Sequence, residues 1–489
     1  MRVKYVIFLF AILFAACTKE SNRLFIKGKV ANYSKSYVLF AYDSIGCGLS
    51  FKVDTIKIDT NGSFAINKDH LLSNAFLLFE EAKPIRLTIP RSLNQPISID
   101  LDCTKPDSIQ FEGEQAAFLQ FDLAQKKYWM KIFQEMSKKH PELGSGNNQN
   151  PLYFVIQDSI TQLRIQYLDK YFADSNITGK EDFISNERNS LVYSNLYYRM
   201  SVPENKIIEQ LAFYQNPNDN SANSLTYSKE VRFSDDNLFE INYYQQFMND
   251  FIMKAVRLEN PQGNFSSYEL YLDKGLTAID KWFKKPQTNF KQKIIFINHL
   301  ISTATMFKAP VNIDQFQAEI EKLRKSENAG KYLSTVNDNL KKLKESRSKF
   351  SIGTRAPNFE LKDSNGKVFH LSDFKNKIIF IDVWASWCGP CVANIPKWND
   401  LVEKYSRNNE FQFLSVSIDD NVNDWAKAEA KFKPMGLKLI AGVGGYKSAF
   451  AKAFEIRVIP EYISIDKKGN ILSFSGSMSD LQEIISKIN

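Results

Sequence analysis

The run Ile378 to Pro396, IIFIDVWASWCGPCVANIP, restricts the possible folds more than any other stretch of the chain. Its apolar, largely β-branched start (Ile378, Ile379, Phe380, Ile381, Val383) does not alternate, so it reads as a strand buried on both faces. That strand runs straight into Trp384-Ala385-Ser386-Trp387-Cys388-Gly389-Pro390-Cys391. Pro390 has no N–H and a φ preset near the helical value. It suits the first turn of a helix that begins near Cys388 and carries Val392, Ile395 and Trp398 inward. A strand, a tight turn and a dithiol therefore follow one another. At a helix N-terminus the unpaired N–H groups and the positive end of the dipole favour thiolate over thiol, which makes Cys388 the expected nucleophile. Cys391, one turn further in, is the expected resolving thiol. Trp387, Gly389 and Pro390 around it are expected to form part of the surface that meets a substrate.

Trp387-Cys388-Gly389-Pro390-Cys391 behind a hydrophobic strand resembles the thioredoxin active site, and residues 350–489 resemble the membrane-anchored TlpA/ResA branch of that superfamily. Ala356 to Leu361 and Gly366 to Phe374 resemble its leading hairpin. Val458-Ile459-Pro460, followed by Tyr462 to Asp466, resembles its cis-proline strand. The resemblance implies an α/β thioredoxin-like domain in which Asp382, six residues before Cys388, is the buried carboxylate. Desolvation raises the pKa of such a group and lets it take a proton from Cys391. It also implies a cis Ile459-Pro460 bond, with the Ile459 backbone free to pair with an extended substrate strand. The chain departs from the ResA pattern at Asn394, where a glutamate is usual, so the carboxylate duty would rest on Asp382 alone. Phe413 to Ile418 reads as the next parallel strand, Pro396 as a kink in the active-site helix, and Asn421 to Tyr446, with Gly442, Gly444 and Gly445, as a flexible lid-side loop.

Ahead of this domain the patterning changes twice. Residues 1–17 read as a targeting segment: Arg2 and Lys4 precede a short apolar run, and Phe14-Ala15-Ala16-Cys17 resembles a bacterial lipobox with Phe14 where Leu is usual. The expectation is a lipid on Cys17 and attachment to a membrane face in the cell envelope, on the periplasmic side; plain secretion with Cys17 discarded is the alternative. Residues 22–113 carry short β-type runs, Leu24 to Val30, Tyr37 to Tyr42, Phe51 to Ile58, Ser63 to Ile66, Ala75 to Phe79, Ile85 to Ile89 and Ile97 to Leu101, separated by turn residues. They predict an all-β sandwich or barrel, and the region resembles the β-rich domain found ahead of TlpA-like domains in lipoproteins. Cys47 and Cys103 there form either a structural disulfide or two buried thiols.

Residues 114–348 switch to helical period in Gln115 to Ser137, Leu152 to Phe172, Asp182 to Met200 and Asn289 to Phe307, with a capping box at Ser201-Val202-Pro203-Glu204. The aromatics Tyr193, Tyr197, Tyr198, Tyr243 and Tyr244 read as core rather than as a peptide-binding face. Glu319 to Lys349, rich in lysine and amphipathic, reads as one long helix or tether.

The formal net charge of +8 is spread over 63 Lys and Arg among 55 Asp and Glu with no basic block, which argues against a nucleic-acid partner. His70, His140 and His299 stand alone, and the CxxC has no second pair, so neither a metal nor any other cofactor is expected. A peroxiredoxin would lack the Trp-Cys-Gly-Pro-Cys turn. The expected function is thiol-disulfide exchange on protein disulfides, in the reducing direction because the Gly-Pro dipeptide resembles thioredoxin, whose potential is about −270 mV. By resemblance the electrons come from a membrane thiol carrier of the DsbD/CcdA kind, and apocytochromes c are among the substrates. The alternatives are a disulfide oxidase or isomerase, or a binding or chaperone-like lipoprotein with an accessory redox domain.

Overall fold

The computed structural model describes residues 23–43, 51–69, 74–79, 85–88, 96–105, 109–114, 116–140, 151–199, 231–233, 235–262, 267–309, 311–326, 329–442 and 444–488. The chain divides into two compact units, Met1–Phe251 and Ile252–Asn489.

In the first unit, strands β1 (Arg23–Ala31), β2 (Tyr37–Asp43), β3 (Phe51–Lys57), β4 (Ser63–Asp69), β5 (Asn74–Leu78), β6 (Ile85–Thr88), β7 (Ile97–Asp102) and β8 (Gln110–Glu112) form two four-stranded sheets, ordered β4-β1-β7-β8 and β3-β2-β5-β6. Alternation puts one face of each strand inward: Ile97, Ile99 and Leu101 are buried while Asp100 is exposed. Ile26, Ile66 and Ile99 of one sheet and Val38, Phe40 and Leu77 of the other share a single apolar core, which makes this a sandwich. Gly62 is required in the β3–β4 turn, because its φ is 81° and a Cβ there would collide with the Val30 carbonyl oxygen.

Helices α1 (Ala116–Lys139), α2 (Pro151–Phe172) and α3 (Lys180–Arg199) follow, with Phe118, Phe121, Leu168, Phe172 and Phe183 packed together. The tyrosine stripe divides. Tyr193 and Tyr244 are fully buried, with ring centroids 4.9 Å apart, whereas Tyr198 is exposed and lies tilted against Tyr197 and Tyr243. Tyr243 and Tyr244 lie on α4 (Asn242–Glu259). Cys17, Cys47, His70 and the Ser201 to Glu204 capping box lie outside the described residues.

In the second unit, which begins within α4 at Ile252, follow α5 (Tyr268–Trp282), α6 (Pro286–Met306), α7 (Ile313–Leu323) and α8 (Ala329–Lys349). The Glu319 to Lys349 stretch is thus not one long helix: α7 stops at Leu323 and α8 starts at Ala329. Nor does α8 hang free, for Leu333, Val336, Leu340 and Leu343, at three- and four-residue spacing, are buried as it packs along α6. Next come β9 (Glu360–Lys362), β10 (Val368–His370), β11 (Ile378–Trp384), α9 (Gly389–Tyr405), β12 (Phe411–Ser417), α10 (Val422–Phe432), β13 (Leu437–Ile440), α11 (Ala449–Ala453), β14 (Glu461–Ile465), β15 (Ile471–Ser475) and α12 (Met478–Ile488). Their strands make one sheet in the order β10-β9-β13-β12-β11-β14-β15.

β11 runs parallel to β12 and antiparallel to β14, and every one of its residues is buried. One face packs Ile379, Ile381 and Val383 with Leu414 and Val416; the other packs Phe380 with Trp398 and Phe413. β11 is apolar at every position but Asp382 because helices cover both faces of the sheet. The expected flexible loop from Asn421 to Tyr446 contains instead a helix, α10, and a paired strand, β13. Burial of Trp425 and Ala428 on one side of α10 supplies the packing that composition alone did not reveal. Among the described residues, no helix is long and apolar enough to cross a membrane.

Candidate active site

The carboxyl end of β11 and the first turn of α9 bring the sulfurs together. Cys388 is the N-cap of α9, Pro390 sits in its first turn, and Cys388 and Cys391 are joined as a disulfide. The Cys391 N–H donates to Cys388 Sγ at 3.2 Å, the capping contact that stabilises a thiolate in the reduced form. Both cysteines are buried, whereas Gly389 and Pro390 are exposed and Trp387 is 57% exposed. Trp384, by contrast, belongs to the core.

Across from the sulfurs, Ile459-Pro460 is a cis peptide, and the Ile459 carbonyl oxygen lies 3.8 Å from Cys388 Sγ. Tyr446 stands beside the same edge, its ring centroid 6.0 Å from that of Trp387. Cys388 is therefore framed by an exposed aromatic pair and a strand-end backbone.

Behind the helix, Asp382 is opposite Tyr462 in the β11–β14 register. It is 3% exposed, and burial pushes its carboxyl up to about 7. The Tyr462 phenol is raised as well, by burial first and by the neighbouring Asp382 second, while its hydroxyl accepts a hydrogen bond from Asn394 at 3.3 Å. Asn394 thus tethers the phenol next to Asp382.

Three further groups escaped the reading of the sequence. Asp419, just past β12, accepts hydrogen bonds from the Ser386 N–H at 3.0 Å, the Ser386 hydroxyl at 2.6 Å and the Ser417 hydroxyl at 2.7 Å. It is 1% exposed, and it pins the turn that leads into Cys388. Asp419→Ala would leave the partly buried Ser386 N–H and the buried Ser417 hydroxyl without their acceptor. It is expected to cost about 3 kcal/mol of stability, read from equilibrium denaturation, with full stability counting against the pin. Glu461, directly after Pro460, is fully buried, and Lys308 is buried against it. A carboxylate interrupting the run Val458 to Ile465 was a visible signal for Glu461, the same one that marks Asp382. Nothing near Lys308 in the sequence announced it. Among the described residues, no three His, Cys, Asp or Glu side chains gather in a way that would hold a metal ion.

A family model described as Redoxin matches residues 351–476. The thiol-disulfide oxidoreductase ResA of Bacillus thuringiensis subsp. konkukian is 31% identical over 144 residues, covering 29% of this chain and 80% of that protein. ResA of Bacillus subtilis is 26% identical over 138 residues, covering 27% and 73%. Among solved structures, a thiol-disulfide oxidoreductase from Bacteroides fragilis is 25% identical and covers 28% of this chain and 100% of that one, with a TM-score of 0.27. Fold and relatives together define an enzyme of the thioredoxin superfamily that carries out thiol-disulfide exchange. More narrowly, the chain belongs to the ResA family of thiol-disulfide oxidoreductases.

Proposed function

We propose that this enzyme reduces protein disulfides outside the cytoplasm, held to a membrane by a lipid on Cys17. The observation that carries the chemistry is the placing of the Cys388–Cys391 pair at the start of α9, with the Ile459 carbonyl beside Cys388 and the buried Asp382 on the strand beneath. In the reduced enzyme the Cys388 thiolate attacks one sulfur of a substrate disulfide. The substrate S–S bond breaks, a mixed disulfide forms, and the departing substrate thiolate takes a proton from water. Cys391 then gives its proton to Asp382 and attacks Cys388 Sγ, releasing the second substrate thiolate. Two electrons pass to the substrate, and the enzyme is left as the Cys388–Cys391 disulfide.

Trp387, Gly389 and Pro390 offer the exposed rim on which a protein chain can rest, and Ile459-Pro460 offers backbone to an extended segment. Re-reduction requires a dithiol donor. The family resemblance points to a membrane carrier of the DsbD/CcdA kind, and to the haem-attachment cysteines of apocytochromes c as one class of substrate. Anchoring rests on the lipobox-like Phe14 to Cys17 alone.

The direction is tested by the equilibrium reduction potential of Cys388–Cys391, titrated against dithiothreitol and glutathione buffers. A value near or below about −270 mV, that of thioredoxin, supports a reductase; one near −120 mV, that of the strong oxidants, would reverse the direction.

A further inference from the structure

Helix α6 ends in a Schellman motif: the Ala309 N–H bonds to the Ala304 carbonyl at 2.9 Å and the Lys308 N–H to the Thr305 carbonyl at 3.4 Å. The left-handed position of such a motif suits glycine, yet it is held here by Lys308, with φ 50°. Instead of reaching to solvent, this lysine is turned inward and is 6% exposed. Its ammonium lies 2.6 Å from Glu461 Oε1, with both side chains buried, and stands over the rings of Phe474 and Phe350 at 4.8 and 5.5 Å. The adjoining Phe307 closes against Gly476, where a Cβ would meet its ring. The helix end is thus shaped to carry a positive charge into the redox domain.

Its target is the first residue of β14. Glu461 follows the cis Ile459-Pro460 bond and is opposite Val383 of β11. Among the described residues Glu461 Oε2 is buried without a hydrogen-bond partner, so Lys308 is the group that holds this carboxylate in place. Arg457 and the Tyr446 phenol are the other titratable groups that act on it, both without a direct bond. Burial pushes the Glu461 carboxyl up and the Lys308 ammonium opposes that shift. Removing the ammonium would leave either a buried naked charge or a neutral acid, and in both cases the strand end two residues from Ile459 would lose its fixed anchor.

We propose that Lys308 is a positioning residue of the redox centre: through its ion pair with Glu461 it fixes the strand end that presents Ile459 and Pro460 beside Cys388. The end of α6 thereby becomes part of the device that docks a protein substrate. This inference rests on the reading of the enzyme as a reductase of protein disulfides.

The test uses the full chain, reduced with dithiothreitol and freed of it, in single-turnover reactions with insulin as a protein disulfide and cystine as a small one. In Lys308→Met the insulin concentration giving half-maximal rate is expected to rise about tenfold, the loss of one good anchoring interaction, while the rate with cystine, too small to use the docking edge, changes by less than about twofold. Lys308→Arg, which restores a cation, is expected to recover part of the insulin effect. Should Lys308→Met not fold, the double variant Lys308→Met/Glu461→Met removes both charges at similar volume and is expected to show the same selective insulin defect. Unaltered half-saturation by insulin in a folded variant, whatever its melting temperature, overturns the positioning role and leaves a purely structural ion pair. Wild-type protein that fails to reduce insulin at all would instead remove the reductase reading, and this proposal with it.

Discussion

Cys391→Ser is expected to trap a mixed disulfide between Cys388 and its substrate, visible as a covalent adduct on a non-reducing gel and released by dithiothreitol. With the resolving sulfur gone, the first exchange still runs from Cys388, because the cap and dipole of α9 act on that position alone. The second exchange has no nucleophile, so turnover stops after one encounter. Cys388→Ser should form no adduct and lower the rate of disulfide reduction by at least about a thousandfold, since a serine hydroxyl at this position has no base to activate it. If the adduct forms instead on Cys391 in the Cys388→Ser protein, the assignment of nucleophile and resolver must be exchanged. A Cys388→Ser/Cys391→Ser protein that kept full function in cells would shift the principal role to the residues ahead of the redox domain.

Asp382→Asn is expected to make the protein more stable and the enzyme slower, and both effects depend on pH. Burial holds the folded-state carboxyl at about 7, whereas the unfolded chain has an ordinary aspartate near 3.9. Below about pH 4 both states are protonated and the group is neutral to stability. Between there and 7 only the unfolded state releases its proton, so stability drops as pH rises and levels off once the folded carboxyl has ionised. At pH 8 the asparagine variant should therefore exceed the wild type by a few kcal/mol, on the order expected for a shift of this size, while at pH 4 the two should match. Equilibrium denaturation at the two pH values reads this directly. Resolution of the mixed disulfide in the wild type should quicken as pH rises through about 7, when Asp382 becomes able to accept the Cys391 proton. In the variant that limb disappears and the step slows by about a hundredfold, a typical contribution for a placed general base. An unchanged pH profile would return Asp382 to a structural role.

Much of the redox domain could be read from its residues because its signals are local. A nearly continuous apolar strand, a proline in the first turn of a helix and two cysteines three apart declare their geometry within a few positions, the cis Ile459-Pro460 bond was implied by the family resemblance, and the structure brings Cys388 and Ile459 together past the carboxyl end of β11. The alternating strands of the sandwich were legible for the same reason, and among the described residues only the three-residue β8 was missed, being too short to show a period. Errors came where packing overrides local composition. The glycines around Gly444 suggested a loose loop, yet the buried face of α10 orders the segment before them. The lysines of Glu319 to Lys349 suggested a solvated rod, yet α8 is clamped to α6 by its leucines.

The sequence by itself determined the cysteine pair and the order of β-rich, helical and redox regions, because period, capping and turn chemistry act between neighbours; the resemblance its motifs carry supplied the superfamily and pointed to Asp382, which the structure finds buried. Only the tertiary structure decided which distant groups surround that chemistry: Asp419 on the turn before Cys388, Tyr446 beside Trp387, and Lys308 on Glu461 across 153 positions of chain. Such pairs exist only when separate elements pack to bring them out of water together, and the strength of a buried charge pair depends on that enclosure rather than on anything its flanking residues encode.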